Sequence, residues 1–482
     1  MAGIAGYGVY VPKYRIKREE IAKMWWGGAP GIKEKSVPSK FLDEDSITMA
    51  YEAAQNAFKH SGISPSQIGG LYVASVSGPY IIKSGAAILG EVLDISSQAT
   101  IIDLSGSTRA ATTAFQSCLD AINSGRINYG MVIGTDCIQA PPGDILEHSF
   151  GAGAAAFILG KEDLIAEFEE FSSYTSTFTS VWRNSGDVFV QRYNDPRLDR
   201  DFGYPQHIKE AVKGIKEGIA NFQHVVFSQP EGKIPGVAAK LLKVNPGSLT
   251  QSNIVSFCGD LGSGSVLVEL AAIFDQAGPG ENILAVSYGS GSGSDAISIS
   301  TLPQIEEKKK RLAPVKDYLE KKEYIDYLQY QRIFNLLKKK ELLPDPMSSY
   351  GASPESARES EYYLKLKALE CRRCGSLNFP RRHYCIDCRG EDFRETTLPR
   401  EGEVVTYNYT QVVAVSPEEP PIAVCSIRLK GAKGKRGGKL SAMLTECESE
   451  KVKIGLPVEL IFRRCGQELG LVKYGYKAQP IR

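Results

Sequence analysis

An excess of one charge, a long apolar run and an export signal are all missing from this sequence. Its 57 Lys and Arg are balanced by 56 Asp and Glu, a formal net charge of +1, so electrostatics gives no argument for nucleic acid or a membrane surface as partner. No apolar run reaches the roughly 18–20 residues that span a bilayer. The opening MAGIAGYGVYVPKYRIK passes straight into a strand-like pattern without the n-region and h-region of a signal peptide. Disulfide spacing is missing too. Of ten cysteines, four form two CxxC pairs and the others are scattered, which in a chain without an export signal reads as metal ligands and reduced thiols. The expectation is a cytoplasmic protein with no nucleic-acid or membrane partner. At 482 residues, 42% apolar and 23% charged, the chain has the composition of a soluble globular protein and the length of roughly two to four domains.

The most informative stretch is Ile101–Ile122, IIDLSGSTRAATTAFQSCLDAI. An apolar strand ends at Asp103-Leu104, a small-residue turn follows, and an Ala- and Thr-rich helix begins. Such a turn holds one side chain at its tip above the helix N-terminus, where unpaired N–H groups and the macrodipole favour developing negative charge. In acyl-transfer enzymes this tip carries a nucleophilic Ser or Cys; here it carries serines and Thr108.

The first 300 or so residues alternate between strand and helix patterns, and the order repeats. Helix Asp45–Ser61 and strand Ile68–Ser75 match helix His207–Phe222 and strand His224–Ser228. The Ile101–Asn123 strand–turn–helix matches an expected strand Asn253–Gly259, a turn Asp260–Ser265 and helix Val266–Gln276. Tyr129–Asp136 and Ile283–Ser287 are apolar strands that each run into a small-residue loop. The fold class expected is α/β, a duplicated unit packed as one layered structure with a pseudo-twofold axis. Lys308–Leu343 reads as a helix docked on the main body, and Pro344–Ser360 as a linker.

From Glu361 the character changes. Cys371-Arg-Arg-Cys374 and Cys385-Ile-Asp-Cys388 are separated by ten residues, and two such knuckles place four thiolates as zinc prefers them, in a closed and therefore structural site. Gly402–Val412, Ile422–Leu429, Lys439–Leu444 and Val458–Arg463 alternate like strands of a small barrel. The basic loop Lys430–Lys439 reads as a solvated hairpin loop. The expected domains are 1–170 and 171–343 (two halves of one layered fold, the second with its docking helix), a linker 344–365, a zinc ribbon 366–395 and an OB-type barrel 396–482.

Several segments together carry a family resemblance: the Ile101–Ile122 turn, GTDCIQAPPGDILEHSFGAGAAAFILG (Gly134–Gly160), Trp182-Arg183, QPEGKIPGVAAKLL (Gln229–Leu242) and SYGSGSGSDAISI (Ser287–Ile299). Over about residues 1–340 the chain resembles the archaeal-type 3-hydroxy-3-methylglutaryl-CoA synthases of the thiolase superfamily. Residues 361–482 resemble the rubredoxin-like zinc ribbon plus OB-fold proteins that accompany acyl-CoA thiolases, synthases and steroid side-chain aldolases. The resemblance implies a five-layer αβαβα core, a dimer, a tunnel for the pantetheine arm of coenzyme A, and a Cys/Glu/His catalytic set. Those three positions fall here on Thr108, Val76 and Ser228, and a following asparagine position falls on Asp260.

A threonine has no thiolate-like fraction at neutral pH and a valine moves no proton, so covalent catalysis is not expected. Cys118 reads as core, and Cys137 and Cys258 as buried thiols at strand ends facing the cavity. The candidate catalytic residues are Thr108, Tyr80, Ser228, Asp260 and Tyr288, with Tyr204 nearby; Gly289, Gly291 and Gly293 are candidates for holding the CoA substrate. Three functions stay open: an aldolase-like enzyme acting on a CoA thioester, a catalytically degenerate subunit of a heteromeric thiolase or synthase, and an acyl-CoA carrier. The acyl-CoA thioester is the expected partner in each, with a homodimer or a thiolase-like heteromer as the assembly.

Overall fold

The computed structural model describes residues 2–25, 27–28, 31–193, 195–230, 234–245, 247–249, 254–337, 359–410, 422–433, 437–468 and 470–481. Chain contacts divide these into two units: residues 1–40 with 45–337, and Phe41–Glu44 with the segment from Lys338 onward.

The first unit is built on nine strands: β1 Gly3–Tyr10, β2 Ile68–Ala74, β3 Thr100–Leu104, β4 Tyr129–Cys137, β5 Ala152–Gly160, β6 Ala166–Thr175, β7 His224–Phe227, β8 Asn282–Gly289 and β9 Gly293–Thr301. Their order is β7-β8-β9-β6-β1-β5-β4-β2-β3. Split between β6 and β1, the two halves read alike. Outward from that junction each runs antiparallel, antiparallel, then parallel, and they meet only at Gly3–Glu167 and Ile4–Ala166. This is the expected duplication.

Alternation along the strands explains the layers. In β7 and β8, Val226, Ile283 and Ala285 join the large central core, while Val225, Phe227, Leu284 and Val286 face a second cluster with helix α3 (Tyr204–Val212). A strand buried on both faces needs a helix layer on each. The central layer is α2 (Ala110–Asn123) and α5 (Ser265–Phe274), whose apolar residues fill the core between the half-sheets. Helix α1 (Ser46–Ser61) packs on β1 and β5. Its N-terminus is closed by Asp45, whose side chain accepts from the N–H groups of Ile47 and Thr48.

The structure corrects three expectations. The segment Asn253–Gly259 is not a strand: Asn253 lies outside the described residues, and Val255–Cys258 is a short helical turn, α4. Its carbonyls are claimed elsewhere, Ser256 O by Lys33 N–H (2.9 Å) and Cys258 O by the Ser36 hydroxyl (3.0 Å), so they are not available to a sheet edge. Cys258 is therefore buried in a helical turn, not at a strand end. The helix expected over His207–Phe222 is α3 alone, and chain ends it just before Gly214. The docking helix is broken into short pieces, Ile305–Lys308, Val315–Glu320 and Tyr327–Ile333, because Pro314 cannot continue a hydrogen-bond ladder. The last piece is docked as expected: Tyr327 OH donates to Glu147 (2.8 Å) and the Lys35 ammonium donates to Tyr330 OH (2.8 Å). Residues 338–343 and the linker through 358 lie outside the described residues.

In the second unit, a three-stranded ribbon sheet (Leu377–Asn378, Lys367–Cys371, Phe393–Thr397) precedes five strands, β10 Glu401–Thr410, β11 Ile422–Leu429, β12 Lys439–Met443, β13 Pro457–Glu468 and β14 Leu471–Pro480. Their order is β12-β11-β10-β13-β14, and a parallel bridge from Leu444 to Ala478 returns β14 to β12. That closed order, 1-2-3-5-4-1, is the OB topology. Residues 411–412 and 434–436 lie outside the described residues. Strand β14 is one the sequence pattern does not signal, because its buried face carries Lys473 and Lys477.

Buried Lys477 and Arg463 are answered by acids. Asp43 accepts from Lys477 Nζ (3.1 Å) and Thr445 Oγ1 (2.7 Å), and Arg463 Nη2 lies 3.3 Å from Glu44. Burial alone would raise the Asp43 pKa, but Lys477 and Arg463 hold it below the ordinary carboxylate value. Its contribution to stability is present above the ordinary carboxylate pKa and is lost as pH falls through the depressed one. Removing one member of a buried pair strands the other, so Asp43→Ala should cost about 3–5 kcal/mol at neutral pH, read as a lower denaturant midpoint of the full chain. No loss would show that the pair contributes nothing net. No helix among the described residues is long and apolar enough to cross a membrane.

Candidate active site and metal centre

Strand β3 enters the turn Ser105–Arg109, and α2 leaves it with no side-chain cap at Arg109. The turn is fixed from the other half of the fold. Arg109 reaches Tyr174 O (3.0 Å) and lies 3.6 Å from Asp295, while Asp295 also accepts from Thr112 (2.7 Å), Thr113 (3.1 Å) and Ser173 (2.6 Å). At the tip, Thr108 Oγ1 donates to Tyr288 O (3.1 Å). Its proton is committed to that carbonyl, and no acid or imidazole is its partner.

Across the cavity, Asp136 at the end of β4 organises the loop after β2. Its Oδ1 accepts from Ser75 Oγ, Val76 N and Ser77 N, each at 2.9 Å, and from Ser77 Oγ at 2.6 Å. Its Oδ2 accepts from Ser263 N (2.8 Å). Val76 is thereby turned toward a small apolar cluster of Ile138, Ala140, Leu146, Phe150 and Val190, with Val181 beside it.

Ser228 and Tyr288 form a third wall. Ser228 Oγ accepts from Tyr288 N (2.8 Å) and its carbonyl accepts from Tyr204 OH (2.5 Å). Among the described residues the Ser228 hydroxyl has no acceptor. Tyr288 OH donates to Asp199 (3.2 Å), which also accepts from Ser180 Oγ (3.0 Å). Beneath Tyr288 lies His207, its ring 5.6 Å away, its Nδ1 buried without a hydrogen-bond partner and its pKa lowered by burial.

Asp260 follows Gly259, whose φ of +75° permits the reversal. Its backbone is pinned on both sides of Phe150: Asp260 N donates to Ser149 O and Gly151 N to Asp260 O, both at 2.8 Å. Oδ1 accepts from Gly262 N (2.9 Å) and Ser265 Oγ (2.6 Å). Oδ2 has no hydrogen-bond partner among the described residues. Burial pushes the carboxyl up to about 6; the two donors oppose this and the Asp136 charge adds to it.

One cavity of about 870 Å³ is lined by Thr108, Tyr80, Ser228, Asp260, Tyr288 and Val76, with Asp199 beside them. The glycine loop sits differently. Ser290 lines the cavity, but Gly289, Gly291 and Gly293 do not. A Cβ on Gly289 would lie 1.9 Å from Ser107 Oγ, and one on Gly293 would lie 1.9 Å from Tyr174 O. Those two glycines let the loop close against the Ser105–Arg109 turn. Cys137 lines the cavity, with burial pushing its thiol up to about 12, so it is not an activated nucleophile. Cys118 is buried in the core. Sequence reasoning missed Asp199 and Asp136. Asp199 lies in NDPRLDRDFGYP, where three aspartates look alike and only the fold selects one.

Comparison with known proteins places this architecture. The chain is 41% identical over 348 residues to the hydroxymethylglutaryl-CoA synthase of Methanocaldococcus jannaschii, covering 70% of this chain and 100% of that protein. It is 41% identical over 340 residues to the enzyme of that name from Archaeoglobus fulgidus, covering 97% of it. The chain belongs to the hydroxymethylglutaryl-CoA synthase family. A crystal structure of an HMG-CoA synthase complexed with CoA shares the fold at a TM-score of 0.63 and 18% identity, over 73% of this chain and 95% of that one.

This family member also has a C-terminal unit, in which residues 364–394 match the ChsH2 rubredoxin-like zinc ribbon domain. The Sγ atoms of Cys371, Cys374, Cys385 and Cys388 all lie within 4.8 Å of one another, with 3.5 Å between Cys371 and Cys388 and 3.6 Å between Cys374 and Cys385. A tetrahedral ion with sulfur bonds of about 2.3 Å has edges of about 3.8 Å. The two knuckles are alike, Gly375 N donating to Cys371 O (2.7 Å) and Arg389 N to Cys385 O (3.0 Å). The geometry fits a closed four-thiolate centre.

The raised Asp260 pKa has a stability consequence. Its folded value lies above the unfolded one, so the folded state binds the proton more tightly and stability falls as pH rises from about 4 through about 6. Asp260→Asn should therefore raise the melting temperature at pH 7.5, with the gain shrinking toward pH 4. A variant that melts lower at pH 7.5 would show that the ionised carboxylate is not strained.

Proposed function

We propose that this protein makes or breaks a C–C bond in a CoA thioester by aldolase-like chemistry without an acyl-enzyme, with Asp260 as the base. The observation that carries this reading is a cavity whose nucleophile position holds a hydroxyl already donating to a carbonyl, while a buried carboxylate with one unpartnered oxygen faces the same space. A carboxylate with a pKa near 6 is ionised at neutral pH and still basic enough to take a proton in a transition state.

In the cleavage direction, Asp260 removes the β-hydroxyl proton of a 3-hydroxyacyl thioester. The Cα–Cβ bond breaks, the β-carbon leaves as a ketone or aldehyde, and the electron pair forms the thioester enolate. The Ser228 hydroxyl is placed to donate to a substrate oxygen, and Tyr288 is held in place by Asp199. Returning the proton from Asp260 to Cα gives the shortened thioester, so atoms and charge balance without a cofactor. Tyr80 and Thr108 contribute as contacts to the thioester. The glycines of the 289–293 loop contribute by bringing Ser290 to the cavity edge.

The ribbon binds zinc as a structural ion, because four thiolates leave no open coordination position. All ten cysteines are free of disulfides, which supports a reducing compartment, the cytoplasm.

A second reading, a degenerate subunit of a heteromeric thiolase or synthase, is favoured by one observation. Strand β3 ends the sheet with Ile102 exposed, and the adjoining loop, tied to it through Ala86 N and Asp103 (2.8 Å), exposes Ile81 at 82% and Ile82 at 94%. An open apolar sheet edge suits a thiolase-like partner, whether a second copy or a different chain.

Purified alone and offered 3-hydroxyacyl-CoA and 3-oxoacyl-CoA panels, the protein should release chain-shortened thioesters from the 3-hydroxyacyl-CoAs and leave the 3-oxoacyl-CoAs, which have no β-hydroxyl proton to remove, uncleaved. Asp260→Ala should reduce this by about 100-fold or more, while Thr108→Ala should retain it within about tenfold. Turnover seen only after adding a co-purifying thiolase-like subunit supports the second reading. Tight CoA binding without turnover in either form supports a carrier. Metal analysis should give one zinc per chain; zinc unchanged in Cys371→Ser/Cys388→Ser rejects the ribbon site.

A further inference from the structure

The apolar cluster beside Asp260 is built by three separate parts of the chain. Val76 comes from the loop after β2, Ile138, Leu146 and Phe150 from the segment between β4 and β5, and Val181 and Val190 from the hairpin Val181–Trp182/Gln191–Arg192. All six line the cavity. The wall adjoins the reactive carboxylate directly, because Phe150 and Asp260 form a backbone bridge and a Cβ on Gly262 would lie 2.8 Å from Ile138 Cδ1.

Its polarity is equally defined. The polar side chain set into it is neutral: Gln139, whose amide oxygen is buried without a partner and whose carbonyl holds Val190 N (3.0 Å). The cations lining the cavity are Lys83 and Arg183. Both are exposed, and Arg183 already donates to Val76 O (2.6 Å). A carboxylate laid on this wall would lose its water and gain no buried counter-charge.

We propose that the acyl end of the substrate is apolar and uncharged and packs against Val76, Ile138, Leu146, Phe150, Val181 and Val190 next to Asp260. This rests on the CoA-thioester reading above. It adds the chemical class of the acyl group, one without the terminal carboxylate of a dicarboxylic acyl chain.

Binding of saturated acyl-CoAs to the full chain, measured by titration calorimetry, tests this apart from turnover. Pentanoyl-CoA should bind about tenfold tighter than acetyl-CoA or better, since each buried methylene adds to affinity. Glutaryl-CoA has the same length with a terminal carboxylate, and should bind at least about tenfold weaker than pentanoyl-CoA. Val76→Thr and Val181→Thr, both at half-buried positions, should each narrow the pentanoyl-to-acetyl ratio to about threefold. Equal affinity across chain lengths, or glutaryl-CoA binding as tightly as pentanoyl-CoA, would overturn the apolar assignment and leave the CoA reading standing. No binding of any thioester would overturn both.

Discussion

The cavity depends on one buried carboxylate that takes no part in the proposed chemistry. Asp136 receives five hydrogen bonds, four from Ser75–Ser77 and one from Ser263, and it lies at the end of a central strand. In a low-dielectric interior such an acceptor is costly unless saturated. Saturating it requires that the loop after β2 and the turn after Asp260 both close onto β4. The two cavity walls are thus set by the same group. Replacing Asp136 would release the Val76 wall and the Asp260 turn together, which makes it a positioning residue for the whole site.

On that frame, the replacements at the positions implied to be Cys, Glu and His are mutually consistent. Thr108 gives its proton to Tyr288 O, Val76 completes an apolar wall, and Ser228 keeps a free hydroxyl proton facing the cavity. The acid–base capacity is gathered at Asp260 instead. Its burial raises the pKa toward the working range, and its strain in the folded state is the physical origin of that reactivity.

Much of this was legible in the residues, for identifiable reasons. The duplicated strand order followed from matching apolar runs, and the ribbon from two CxxC pairs. Four of the five candidate catalytic residues reach one cavity because each lies at the C-terminal end of a strand or in the segment that follows one, and Asp260 reaches it through the reversal after α4 and its bridge to Phe150. What failed was local. Asn253–Gly259 has strand-like residues, but the carbonyls of Ser256 and Cys258 are satisfied by the segment around Glu34–Ser36, a partner 220 or so positions away in the chain. Strand β14 was hidden because Lys473 and Lys477 are buried on its inner face, Lys477 against the Asp43 charge, which the pattern cannot show. Asp136 and Asp199 were invisible as site residues because their roles are hydrogen-bond partnerships made across the fold, with no spacing to mark them.

The central claim is that catalytic power has moved from an acyl-forming nucleophile to the Asp260 carboxylate. The pH dependence of kcat/KM on a 3-hydroxyacyl-CoA tests it most directly. The account predicts a rate that rises about tenfold per pH unit on the acid side and levels off above an apparent pKa near 6. A profile that rises instead through pH 8–9, as ionisation of a thiol of pKa about 8.5 would give, would contradict it.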